Sequence, residues 1–170
     1  MAHAKVRKPG PEIPLIGDVD DWEAETIKSL LEIRSGGECV FYLDSSGGSV
    51  YGALAVVNLL QLKRIQSTVV VLGECSSAAM LIFGVAKRRL VTPMSTLLFH
   101  PMRWQSEKRI SSAEAKQWSA HFDRMEKDMA AFLAKLFGPF ADHVFHWTQN
   151  SQYLTGIEIA AIGLAELING

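Results

Sequence analysis

A chain of 170 residues, 48% of them hydrophobic and 21% charged, has the size and balance of one globular domain with a sizeable core. Its net charge of −1 supplies no field for nucleic acid or anionic membranes, and no apolar run approaches the roughly 18 residues of a membrane span. Cys39 and Cys75 end different predicted strands and show no metal-ligand spacing, which predicts free buried thiols in a reducing compartment and no metal site.

The start of the chain lacks the apolar stretch of a secretory signal. Residues 1–12, with Lys5, Arg7 and Lys8 among Pro and Gly, predict a flexible leader to a cytoplasmic protein whose single domain covers 13–170. Ile13 to Ile16 predicts a first strand, and Asp18 or Asp20 a cap for a helix over Trp22 to Arg34 that ends at Gly36-Gly37. Cys39 to Leu43 is nearly all apolar, which predicts a parallel strand covered on both faces. Asp44-Ser45-Ser46-Gly47-Gly48-Ser49 then opens a helix over Val50 to Leu62, and Ser67 to Leu72 is the next strand. This order is a βαβ unit with a right-handed crossover.

After Gly73-Glu74-Cys75-Ser76 the pattern predicts a helix over Ser77 to Ala86, then a basic turn at Lys87-Arg88-Arg89. Short strands at Leu90 to Thr92 and Thr96 to Phe99 flank Pro93-Met94. Ser111 to Phe137 predicts one amphipathic helix about 40 Å long at 1.5 Å per residue, with Ser111 or Ser112 as its cap, Glu114 nearby, and Gly138-Pro139 as the stop. A helix of that length projects from a domain of this size or packs on another chain. Ala141 to Gln149, the strand residues Tyr153-Leu154, a Thr155-capped helix to Ile162 and Leu164 to Ile168 complete the chain.

Two Gly-rich or small-residue corners and one histidine carry the candidate chemistry. Gly47-Gly48 reads either as a tight turn into a helix or as a place where a substrate carbonyl approaches bare backbone N–H groups. A phosphate loop fits poorly, because no Walker lysine and no GxGxxG spacing are present. Ser76 and Ser77 read as helix caps or as a nucleophile at a strand-to-helix corner. Ser77 is favoured because Ala78 follows it with an N–H suited to an oxyanion. A serine hydroxyl needs a base, and His100, just after the strand that ends at Phe99, is the candidate. His121, His143 and His146 fall on helices. The three-residue spacing of the last two has no accompanying carboxylate motif, so no metal is expected there.

The sequence resembles the proteolytic subunit of the Clp protease, a serine peptidase family with the ClpP/crotonase fold. Tyr42-Leu43-Asp44-Ser45-Ser46-Gly47-Gly48-Ser49-Val50 is similar to the family's strand followed by N-S-P-G-G-S-V. Gly73-Glu74-Cys75-Ser76-Ser77-Ala78 is similar to G-x-A-A-S-M, and Leu98-Phe99-His100 to M-I-H. Tyr153-Leu154-Thr155, with Gly163-Leu164, matches a closing F-L-S and G-L. The resemblance spans about Ile13 to Ile168. It implies an α/β fold of repeated β-α units with a long protruding handle helix at Ser111–Phe137, and a homo-oligomer of stacked heptameric rings. It further implies Ser77 as nucleophile, His100 as general base, Gly48 and Ala78 as oxyanion-hole donors, no cofactor, and peptides or unfolded proteins as substrates.

The chain departs from the family pattern in four ways. Ser151 stands where the family has its acid, and no carboxylate occurs between Asp142 and Glu158. The neighbouring Asn150 offers an amide carbonyl that orients an imidazole without supplying charge. The leader is shorter than the one that contacts the AAA+ unfoldase in the family. Ser46 replaces a proline, and the interval from Ser77 to His100 is two residues shorter. Three functions are therefore expected in order: a serine endopeptidase with a non-standard or missing acid, a non-catalytic assembly subunit of the same fold, and a crotonase-type acyl-CoA enzyme. The last shares the two-N–H oxyanion hole but has no use for Ser77 followed by His100.

Overall fold

The computed structural model describes residues 10–104 and 109–168, so residues 1–9 of the expected leader lie outside the described residues. The chain forms two compact units, one of Met1–Leu97 with Leu154–Gly170 and the other of Leu98–Tyr153.

The first unit is built on a parallel sheet. Its strands are β1 (Glu12–Ile16), β2 (Glu38–Ser45), β3 (Gln66–Ser76), β4 (Arg88–Val91) and β7 (Glu166–Leu167), in the order β1-β2-β3-β4-β7. Between them run α1 (Val19–Glu32), α2 (Val50–Lys63), α3 (Ala79–Val85) and α6 (Gly156–Ala161). One sheet face is sealed: Leu15, Phe41, Leu43, Val69, Val71 and Val91 expose nothing to solvent. The helices contribute Val19, Leu30, Val56, Val57, Ile82 and Phe83, all equally or almost equally buried. Each such side chain contributes roughly 1.5–3 kcal/mol by leaving water, which makes this layer the main source of stability.

The opposite face is only partly covered, against the expectation for Cys39 to Leu43. Along β2 the burial alternates, with Val40 and Tyr42 half-buried between the buried Cys39, Phe41 and Leu43. An apolar run is read as a doubly covered strand because apolar content alone does not reveal which face has a covering layer. Ile16 and Leu72, half exposed, extend the same open region. Arg88 and Arg89, expected in a turn, lie in β4. There Arg88 pairs with Glu166 of β7 through two bonds, Nε to Oε1 at 2.8 Å and Nη2 to Oε2 at 2.6 Å. The Arg89 guanidinium donates to the carbonyls of Phe83 and Gly84.

The chain passes into the second unit along β5 (Thr96–Phe99) and returns along β6 (Gln152–Thr155). Between these strands lie α4 (Ser112–Phe137), a single 3-10 turn (Gly138–Phe140) and α5 (Ala141–Gln149). Of the two candidate caps, Ser111 caps α4, in a capping box with Glu114. Only Met129 and Phe137 are buried along its 26 residues. Phe99 packs its ring against those of Phe137 and Trp147 at 6.1 and 5.1 Å, forming a small aromatic core. Near the start of α4, Trp104 stacks on Phe122 at 4.7 Å and meets Trp118 edge-on.

Candidate active site

In the first unit, the C-terminal ends of β1, β2 and β3 lie side by side in a parallel register, where open α/β sheets place their sites. Pairing between β2 and β3 holds from Glu38↔Gln66 to Leu43↔Val71 and resumes at Ser45↔Cys75. Asp44 alone on β2 thus stands opposite Leu72, Gly73 and Glu74 on β3, which bulge out. Such a bulge redirects the side chains at the end of its strand. Asp44 secures this one: its Oδ1 accepts the Glu74 N–H at 2.9 Å, and a Cβ on Gly73 would lie only 2.6 Å from that oxygen.

The bulge lets β3 run to Ser76, so Ser77 does not begin a helix as the pattern predicts. It occupies a separate corner with φ +55, followed by Ala78 and then by α3. That left-handed backbone is costly for serine, of order 1–3 kcal/mol, and is held here by the structure on both sides. The two candidate serines also separate. Ser76 is buried, and its hydroxyl donates to Glu74 Oε1 at 2.5 Å, whereas Ser77 is half-buried at the turn. Met80 N–H and Leu81 N–H bond back to the carbonyls of Ser77 and Ala78. The Ala78 N–H, ahead of them, has no intrahelical partner.

Gly47 meets this corner directly. A Cβ added to it would lie 2.6 Å from Ser77 Cβ and 3.1 Å from Ala78 N, and its φ of +109 is itself a glycine conformation. Gly48, at φ +119, sits against the start of α1, 3.1 Å from Val19 N by the same construction. The structure therefore brings Gly47, Gly48, Ser77 and Ala78 to the C-terminal end of the neighbouring strands β2 and β3. Cys75, two residues before Ser77, is fully buried with its Sγ 3.3 Å from Met80 Sδ, and burial raises its thiol pKa far above the usual range. Burial likewise pushes Cys39 up to about 12. Both cysteines are free, and neither is a nucleophile at neutral pH.

In the second unit, His100 is half-buried with Nδ1 2.6 Å from the Pro101 carbonyl oxygen. A carbonyl can only accept, so the neutral ring carries its proton on Nδ1 and leaves Nε2 free to take one. The acceptor at Nδ1 is thus a backbone carbonyl. No side chain signals this acceptor in the sequence, because it is a backbone oxygen. Asn150 and Ser151 make no hydrogen bond to His100 among the described residues. Asn150 ends α5 and donates to the His146 carbonyl at 2.8 Å, and Ser151 is exposed in a left-handed turn at φ +49.

His100 and Pro101 also line a cavity of about 250 Å³ within this unit. Its walls are mainly apolar, with Met129 and Leu133 from α4 and Val144 and Phe145 from α5. Glu126 and Asp142 are its charged members. Among the described residues no group of three or more His, Cys, Asp or Glu is placed to hold a metal ion.

The family model for the Clp protease matches residues 11–169. The "ATP-dependent Clp protease proteolytic subunit 1" of Corynebacterium glutamicum is 29% identical over 157 residues, covering 88% of this chain and 74% of that protein. The protein of the same description from Rhodococcus jostii is 28% identical over 87% of this chain and 70% of its own length. The "ATP-dependent Clp protease proteolytic subunit" of Bacteroides fragilis is 22% identical over 87% and 73%. The match runs through the serine corner, the histidine strand and the long helix alike: this chain belongs to the Clp protease family.

Proposed function

We propose that this protein is a serine endopeptidase that cleaves peptides or unfolded proteins through an acyl-enzyme on Ser77. The observation that carries the reading is the corner itself, a serine at φ +55 with Gly47 pressed against its Cβ and, beside it, the Ala78 N–H, which makes no backbone hydrogen bond among the described residues. Ser77 Oγ attacks the scissile carbonyl while His100 Nε2 takes its proton. The C–N bond breaks as the imidazolium returns that proton to the leaving amine. Water, deprotonated by the same nitrogen, then releases the acyl group. The N–H groups of Gly48 and Ala78 face the oxyanion, each worth roughly 2.7–4 kcal/mol in enzymes that use such donors.

Among the described residues no carboxylate is hydrogen-bonded to His100. The Pro101 carbonyl fixes the ring and its tautomer but brings no full negative charge to the imidazolium, so turnover is slower than with an ionised acid. The cavity beside His100 suits an apolar side chain of the substrate, and Glu126 and Asp142 on its wall oppose an acidic one. The partly open apolar sheet face at Val40, Tyr42, Ile16 and Leu72, and the length of α4 left exposed, support assembly into homo-oligomeric rings. Delivery of substrate by an AAA+ unfoldase belongs to the same reading. No cofactor is required.

Reaction with a fluorophosphonate probe followed by peptide mapping tests the proposal. An adduct on Ser77, lost in Ser77→Ala, is expected; folded protein with no adduct and no peptidase activity overturns it. The second reading, a non-catalytic ring subunit, is favoured by the absence of any carboxylate hydrogen-bonded to His100 among the described residues. It predicts rings by native mass spectrometry without labelling.

A further inference from the structure

The peptide between Gly47 and Gly48 is gripped from the side opposite the serine. Its carbonyl oxygen accepts the Val19 N–H of α1 at 2.7 Å, and the residue before it, Ser46, donates its hydroxyl to Asp18 Oδ1 at 2.8 Å. Asp18 is in turn fixed as the cap of α1, with its own N–H on Asp21 Oδ2 at 2.9 Å. The strand below is tied to the same turn by Gly17 N–H on the Asp44 carbonyl at 3.0 Å. The described chain has no cis peptide, so the Gly48 N–H points opposite to the Gly47 carbonyl and therefore away from α1.

Two consecutive glycines with φ +109 and +119 have no Cβ to resist a peptide flip. Flipping would turn the donor toward α1 and present a carbonyl, an acceptor, to the developing oxyanion. Something must bias the plane: the Val19 N–H bond holds it directly, and the turn before it is braced by Gly47 N–H on Ser45 Oγ at 3.2 Å and by the Ser46–Asp18 bond.

We infer that Asp18 and Ser46 are positioning residues for the reaction: their hydrogen bond clamps the Gly47–Gly48 peptide to the start of α1 and thereby holds the Gly48 N–H toward the oxyanion. This rests on the peptidase reading above. The clamp acts on transition-state charge rather than on substrate docking, so its loss lowers kcat and leaves KM in place.

The test compares Ser46→Ala, Ser46→Thr, Asp18→Ala and the double variant Ser46→Ala/Asp18→Ala in the full-length protein. Ser46→Ala is expected to lower kcat for a fluorogenic peptide about tenfold, less than the roughly 10²–10³ that deletion of an oxyanion donor costs, with KM unchanged. Ser46→Thr, which keeps the hydroxyl, is expected to retain wild-type kcat. The double variant is expected to be no slower than the slower single one, because one bond is removed twice. Wild-type kcat in Ser46→Ala overturns the inference, as does multiplication of the two single effects. Amide hydrogen exchange over residues 17–20 and 46–49 gives a readout free of activity. Faster exchange in Ser46→Ala supports the clamp, and unchanged exchange overturns it. Absence of any fluorophosphonate adduct in the wild type instead overturns the peptidase reading, whatever the exchange shows.

Discussion

The serine corner and the histidine segment are held in very different ways. Ser77 stands at the end of a strand paired on both sides, and Asp44, Gly47 and the α1 cap fix the backbone around it through short hydrogen bonds and close contacts. His100 follows a short strand in a unit whose long helix buries only two residues. There its ring is oriented by one neighbouring carbonyl beside an apolar cavity. Chemistry that depends on backbone N–H groups needs the first kind of support, because a peptide plane is held only by what surrounds it. A substrate pocket tolerates the second, since apolar walls recognise volume rather than direction.

The most severe break in this contrast is Ser77→Ala, expected to lower peptide hydrolysis by at least about 10⁴ and to abolish probe labelling with the melting temperature kept. Next come two glycines with positive φ. Gly47→Ala drives a methyl to 2.6 Å from Ser77 Cβ and should destabilise the protein by roughly 3 kcal/mol or more in denaturant unfolding. Gly138→Ala, in the other unit, meets nothing within 4 Å and should cost only the backbone strain of its positive φ, of order 1–3 kcal/mol. Equal losses would mean that the serine corner is no more tightly built than the helix end.

Filling the cavity separates recognition from chemistry. Ala130→Phe is expected to raise KM roughly tenfold for peptides with a large apolar residue at the cleavage site, while a small fluorophosphonate labels Ser77 at the wild-type rate. A parallel fall in labelling would tie the cavity to the catalytic step itself. Iodoacetamide at pH 8 should leave Cys39 and Cys75 unmodified in folded protein and alkylate both once it is unfolded, since burial raises both thiols.

The smallest effect concerns two similar capping boxes, Ser111–Glu114 in one unit and Thr155–Glu158 in the other. The backbone and hydroxyl donors of the cap residue hold each carboxyl below the ordinary range. Their stabilisation is therefore complete above the unfolded carboxylate pKa of about 4.3 and is lost as pH falls through the lower folded value. Glu114→Gln should flatten the acid-side decline in helical circular dichroism between about pH 5 and 2 more than Glu158→Gln, because α4 has 26 residues to unravel and α6 only six.

Much of this protein is legible in the chain itself. The alternation of β-prone runs with 3.6-period segments and the caps read at Asp18 or Asp20, Ser111 or Ser112, and Thr155 place nearly every element within a few residues. These signals are local, since a cap and its helix lie within one turn of each other. The quartet Gly47, Gly48, Ser77 and Ala78 is legible for the same reason, each pair sitting directly after its strand. Tertiary structure alone decided the rest. The bulge that carries β3 past Gly73 to Ser76 depends on the carboxylate of Asp44, thirty residues earlier. The open face of β2 depends on which side the helices cover, and the orientation of His100 on a carbonyl that has no side chain to be read. Sequence pattern reports what a residue prefers among its neighbours in the chain, whereas hydrogen bonds between distant strands and the direction of a peptide plane are set only when those strands meet.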